Sequence, residues 1–173
     1  MNLPESKPES MALLVSEVMS YPPNLADIVG FFDALPEDEK RENLIAYADQ
    51  AAHCAVKPGE SFDLEDTRKD EECTDTVGVF LRVDAGTRAV HFRINLGPHV
   101  QTLTRAMTAI LCKGLDGATP EVVLEVPQDF VPKIVGGQLV RLRSQTVYYI
   151  LGRMKGIAKV WLNRERAVAN APA

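Results

Sequence analysis

The sequence predicts an α+β fold, a small antiparallel sheet packed against helices. Three observations carry that expectation. Apolar residues recur at helical spacing between 25 and 52, strict apolar/polar alternation flanks a turn at 84–87, and a long apolar stripe runs from 147 to 161. Helix, helix, hairpin, then helices is the order of a chain whose helices cover one side of a sheet.

The elements follow in order. Residues 1–23 carry Pro4, Pro8, Pro22 and Pro23 and are expected to form a partly flexible extension, with a short helix over Met11 to Met19. Asn24 is the expected N-cap of the first core helix, whose face is Leu25, Ile28, Val29, Phe32 and Leu35. Pro36 suits the first position of a second helix, with Glu37, Asp38 and Glu39 at its positive end. Leu44, Ile45, Ala48, Ala51 and Ala52 supply its apolar face, Cys54 lies at its end, and Pro58-Gly59 stops it.

From Glu60 to Asp75 the chain reads as an exposed, charged loop, with a short edge strand expected around Phe62 to Leu64. Val77, Val79, Leu81 and Val83 then alternate with Gly78, Phe80 and Arg82. Asp84-Ala85-Gly86-Thr87 turns the chain, and Val90, Phe92 and Ile94 alternate with His91, Arg93 and Asn95. Val100, Leu103, Met107, Ile110 and Leu111 mark a third helix, for which Gly114 is the expected C-terminal cap. Thr119-Pro120-Glu121 is a compact helix start. The last helix is expected to bury Val147, Ile150, Leu151, Met154, Ile157, Ala158 and Trp161, with Arg153, Lys155 and Lys159 off that face. Residues 24–162 therefore read as one domain and 163–173 as a flexible, frayed tail.

Bulk properties narrow the function. The chain has 173 residues, 46% of them apolar and 25% charged, which is a globular composition. A formal charge of −5 argues against a nucleic-acid partner. No apolar run is long enough to span a membrane, and neither a basic leader nor a cleavage site is evident, so the expected location is cytoplasmic. Three cysteines without paired spacing suit a reducing compartment.

The chemistry-bearing residues are few. Cys54, Cys73 and Cys112 lack the C-x-x-C or H-x-x-x-H spacing of a metal site, so no metal site is expected unless they meet in space. His53, His91 and His99 are isolated, and His91 reads as a solvated side chain on the polar face of a strand. No G-x-S-x-G motif is present, and Gly114-Leu115-Asp116-Gly117 lacks the strand–loop–helix context of a phosphate-binding loop. Cys112 adjoins the stripe of its helix and reads as core, whereas Cys54 is open to either role. Cys73 stands out because it sits among Asp70, Glu71, Glu72 and Asp75 at the mouth of a hairpin, where a thiol is reachable.

These residues carry a resemblance. Cys73 before the hairpin strand, Gly114 through Glu121 (GLDGATPE), Val126-Pro127-Gln128-Asp129-Phe130, and Arg143-Ser144-Gln145 ahead of Tyr148 to Lys155 are similar to the SufE family. Asp33 through Lys40 fits that family's N-terminal helical hairpin, so the likeness runs from about Asn24 to Lys155. The family often reads Gly-Cys-x-Ser-x-Val-Trp at its cysteine; here Glu72, Asp75 and Gly78 replace the glycine, serine and tryptophan. The branch with Glu-Cys-Gln-Thr is closer.

The resemblance implies a fold akin to IscU-type scaffolds and a role as sulfur acceptor. A cysteine desulfurase of SufS type, itself using pyridoxal phosphate, would load sulfur onto the thiol of Cys73 as a persulfide. The sulfur would pass to a downstream iron–sulfur scaffold, with no cofactor on this chain. Arg143 matches the family's arginine at the start of the last helix, either near the cysteine loop or pairing with Asp116 or Asp129 on the surface. The carboxylates around Cys73 disfavour its thiolate, so activation is expected from Arg143 or from the desulfurase. The alternatives are a metal- or cluster-binding scaffold of IscU type and a regulator of a desulfurase that accepts no sulfur.

Overall fold

The computed structural model describes residues 21–69, 75–137 and 145–171. Helix α1 spans Pro23–Asp33 and α2 spans Glu37–Gln50, which a 3-10 turn at Ala51–Cys54 extends. Strands β1 (Leu64–Lys69), β2 (Thr76–Val83) and β3 (Val90–Leu96) follow. Helices α3 (Thr102–Leu115), α4 (Pro120–Glu125), α5 (Phe130–Val135) and α6 (Gln145–Ala169) complete the described chain. The expected α+β class is what the structure shows.

The sheet is antiparallel throughout, in the order β1-β2-β3. Leu64 pairs with Leu81 and Lys69 with Thr76, while Val77 pairs with Leu96 and Val83 with Val90. Val77, Val79, Leu81, Val90, Phe92 and Ile94 are buried, as the alternation predicts. Strand β3 packs on α3, and β1 and β2 pack on α6. The other face is half covered by the segment before β1, where Phe62 meets Phe80 at 5.2 Å between ring centroids and Glu60 holds Arg93. Helix α3 runs through the centre, with Ala106, Met107, Ile110, Leu111 and Leu115 buried, and it also touches α1, α2 and α6.

Several local expectations are corrected. The N-cap of α1 is Pro22, with Pro23 in the first turn where its missing N–H costs nothing. Asn24 instead donates from Nδ2 to the Asp116 carbonyl at 3.1 Å, tying α1 to the end of α3. Pro36 is the N-cap of α2 rather than its first residue. On that helix Ile45 is half exposed, and the buried face is Lys40, Leu44 and Ala48. Lys40 reaches the Lys133 carbonyl with Nζ at 3.2 Å, which satisfies its buried ammonium.

Gly114 lies inside α3, not at its cap, because the missing side chain leaves room for Leu25 of α1. The chain leaves that helix through Gly117, at φ 80°. The strand expected at 62–64 is instead Leu64–Lys69, drawn from residues that read as loop. As a charged edge strand it discourages pairing with other chains. The expected frayed tail is helical to Ala169, held in part by Glu165 on Arg88 at 2.7 Å. The short helix expected over Met11 to Met19 lies outside the described residues. Among the described residues no helix is long and apolar enough to cross a membrane.

Candidate functional site

Both residues singled out for sulfur chemistry, Cys73 and Arg143, lie outside the described residues. Their flanks are described, and these define where each segment is attached. Cys73 belongs to the connection between β1 and β2, which leaves the sheet after Lys69 and re-enters at Thr76, its direct partner. Asp75 anchors the returning side, accepting the His99 backbone N–H at 2.5 Å. Gly97 is required there, since a Cβ at that position would come within 2.5 Å of the Asp75 side chain. The connection therefore springs from the end of the sheet where β3 gives way to Gly97 and His99.

Arg143 lies two residues before the described part of α6 in sequence, and α6 lies along β1. The contact is fixed by Arg153, which is buried even though the sequence places it off the apolar stripe. Its Nε donates to Asp66 Oδ2 at 3.1 Å and its Nη2 to the Asp66 carbonyl at 2.6 Å. Beside this clamp runs a cleft of about 730 Å³, lined by residues including Asp66, Arg68, Gln145, Tyr148 and Tyr149. Leu64 shares a second recess with Trp161 and Arg164, so the two elements run in opposite senses. Arg68 near the end of β1 and Gln145 at the first described turn of α6 thus both line this cleft.

The two acids considered as surface partners for Arg143 each have a described partner. Asp116 bonds His91 Nδ1 at 2.7 Å, and Asp129 accepts from the Tyr21 hydroxyl at 2.5 Å.

A second cavity, of about 710 Å³, opens between the half-covered sheet face and the first three helices. Cys54 and Cys112 both line it, with Arg93, Glu60, His91 and Asp116. The 3-10 turn that carries Cys54 packs on α3, which carries Cys112, so the two thiols are neighbours in this cavity. Interaction with the Cys112 thiol is the main reason the pKa of the Cys54 thiol is lowered to about 7; burial opposes it and the Arg93 guanidinium assists. Cys112 is pushed up by the same contact and by its burial. Its core position agrees with the sequence reading, whereas its proximity to Cys54 had no signal there. Arg93 is held by Glu60, with Nη2 to Oε1 at 2.9 Å.

His91 is not the solvated residue the strand pattern suggests. Its Nε2 meets Asp84 Oδ2 at 3.0 Å, and its Nδ1 meets Asp116. Burial pulls its pKa down, but the two carboxylate hydrogen bonds outweigh this and raise it; when protonated, the ring donates to both acids. Among the described residues no group of three or more His, Cys, Asp or Glu is arranged to hold a metal ion.

The comparisons with known proteins agree with the fold and the motifs. The family model of SufE, described as an Fe-S metabolism associated domain, matches residues 26–158. Among solved structures, the chain is similar to a hypothetical protein from Thermus thermophilus whose structure was determined in solution. That match has a TM-score of 0.66 and 25% sequence identity, covering 83% of this chain and 98% of the other. No curated protein matches the chain.

Proposed function

The chain belongs to the SufE family, a domain associated with Fe-S metabolism, and from that premise we propose that its Cys73 accepts sulfur from a cysteine desulfurase. The observation that carries the reading is the attachment of the Cys73 connection. It joins two strands paired up to Lys69 and Thr76, and Asp75 is tied to the backbone beyond β3. A thiol on a short connection at the end of a sheet can enter a partner's active site while the sheet stays folded behind it.

The transfer is thiol–disulfide exchange in form. The Cys73 thiolate attacks the outer sulfur of a persulfide on the desulfurase cysteine, one S–S bond forms as another breaks, and the desulfurase thiolate leaves. No net oxidation occurs. Pyridoxal phosphate belongs to the desulfurase, where it releases sulfur from free cysteine. The acids flanking Cys73 in the sequence disfavour its thiolate, so the activating positive charge is expected from the partner. A thiolate of an iron–sulfur scaffold then attacks that outer sulfur, the S–S bond to Cys73 breaks, and Cys73 leaves as its thiolate.

The test is alanine production by a pyridoxal-phosphate desulfurase given cysteine, with and without this protein. The wild-type chain is expected to raise the rate and Cys73→Ser to leave it at the level of the desulfurase alone. Equal stimulation by both would refute sulfur acceptance at Cys73.

A further inference from the structure

The second cavity is not used by the chemistry proposed for Cys73. It nevertheless brings together the two described thiols of the chain, from elements far apart in sequence. We propose that Cys54 and Cys112 form a redox pair, which hydrogen peroxide or an organic hydroperoxide oxidises to an intramolecular disulfide.

The geometry supplies what such a pair needs. The thiols share one cavity, and the 3-10 turn and α3 that carry them pack on each other, so a disulfide can close without bringing distant elements together. Both line one cavity large enough to admit a small oxidant. The two differ in access: Cys54 is half-buried at the end of the 3-10 turn, while Cys112 is only 7% exposed on α3. Arg93 lies close enough to Cys54 to favour its thiolate, and Glu60 fixes that guanidinium in place. Cys54 is therefore the nucleophile and Cys112 the resolving thiol. Core packing alone explains Cys112, but it does not explain a second, partly exposed thiol set against it beside a guanidinium.

The steps balance. The Cys54 thiolate attacks one peroxide oxygen, the O–O bond breaks, and hydroxide or alkoxide leaves with the electron pair. Cys54 is now a sulfenic acid. The Cys112 sulfur attacks it, the S–O bond breaks, and the thiol proton leaves with the hydroxyl as water. One two-electron oxidant has been reduced and two thiols have become one disulfide, which a dithiol reductant reverses.

The pair is tested in the full chain carrying Cys73→Ser, which keeps the result separate from sulfur transfer at that residue. After peroxide, intact mass is expected to fall by two hydrogens, and the peptides bearing Cys54 and Cys112 to remain joined until dithiothreitol is added. With Cys112→Ser as well, Cys54 is expected to stop at the sulfenic acid and be trapped by dimedone. With Cys54→Ser instead, a change at the more accessible position, Cys112 is expected to stay reduced and to be alkylated after unfolding. The proposal is overturned if both thiols remain alkylatable at a peroxide dose that converts free cysteine to cystine. It is equally overturned if the disulfide joins two chains, or if Cys112 oxidises as readily without Cys54.

Discussion

Replacing Arg153 by methionine tests how α6 is held to the edge of the sheet. The guanidinium makes two contacts with Asp66, one to the carboxylate and one to the main-chain carbonyl. Removing one partner of a buried ion pair costs about 3–5 kcal/mol when the other charge stays dry. Here the Asp66 side chain is 33% exposed, so water can recover part of its solvation. Methionine keeps the stem packed, which places the expected loss at about 2–3 kcal/mol. For a chain of this size that lowers Tm by roughly 4–12 °C. Asp66→Asn is expected to cost less, about 1 kcal/mol, because the carbonyl still accepts from Arg153. Urea unfolding of both single variants and the double variant measures the terms separately. The reasoning fails if Arg153→Met costs under about 1 kcal/mol, or if Asp66→Asn costs as much as Arg153→Met.

Gly97→Ala drives a Cβ into the Asp75 side chain and displaces it from the His99 N–H, so persulfide loading should slow while the chain remains folded; wild-type loading rates would contradict the anchor. His91 has a raised pKa in the fold, so its ion pairs stabilise the protein fully below about pH 6.5 and the contribution is lost as pH rises through the folded value. Stability measured across that window should fall with pH in the wild type and less in His91→Gln; parallel profiles would remove His91 from the account. Iodoacetamide alkylation of Cys54 should follow an apparent pKa of about 7, and Arg93→Gln should move it upward. An unmoved profile would show that the guanidinium has no influence there.

Much of the architecture is legible in the sequence because it is written in apolar periodicity. Val77, Val79, Leu81, Val90, Phe92 and Ile94 alternate and are all buried, and the stripe of α6 from Val147 to Ala158 is buried as read. What escapes is whatever depends on polar groups meeting across the fold. Strand β1 buries Leu64 alone among its residues, so its pattern carries no alternation and its charges read as loop. Arg153 looks like a solvent-facing cation until β1 is placed beside it to supply Asp66. His91 follows the polar face of its strand correctly, but the acids that claim it come from a turn and from the end of α3. Gly114 looks like a cap because glycine often ends helices, whereas its reason is the close approach of Leu25. The cysteines show both outcomes: the burial of Cys112 follows from its helix stripe, and its contact with Cys54 follows from nothing local.

Sulfur carriage by Cys73 is tested most directly by locating the sulfur. The protein is incubated with a cysteine desulfurase and cysteine, free thiols and persulfides are capped, and peptides are mapped by mass spectrometry. One added sulfur is expected on the peptide containing Cys73, with none on those containing Cys54 or Cys112, and Cys73→Ser is expected to gain none anywhere. Sulfur gained by the Cys73→Ser protein, or found on Cys112 in the wild type, would contradict the account.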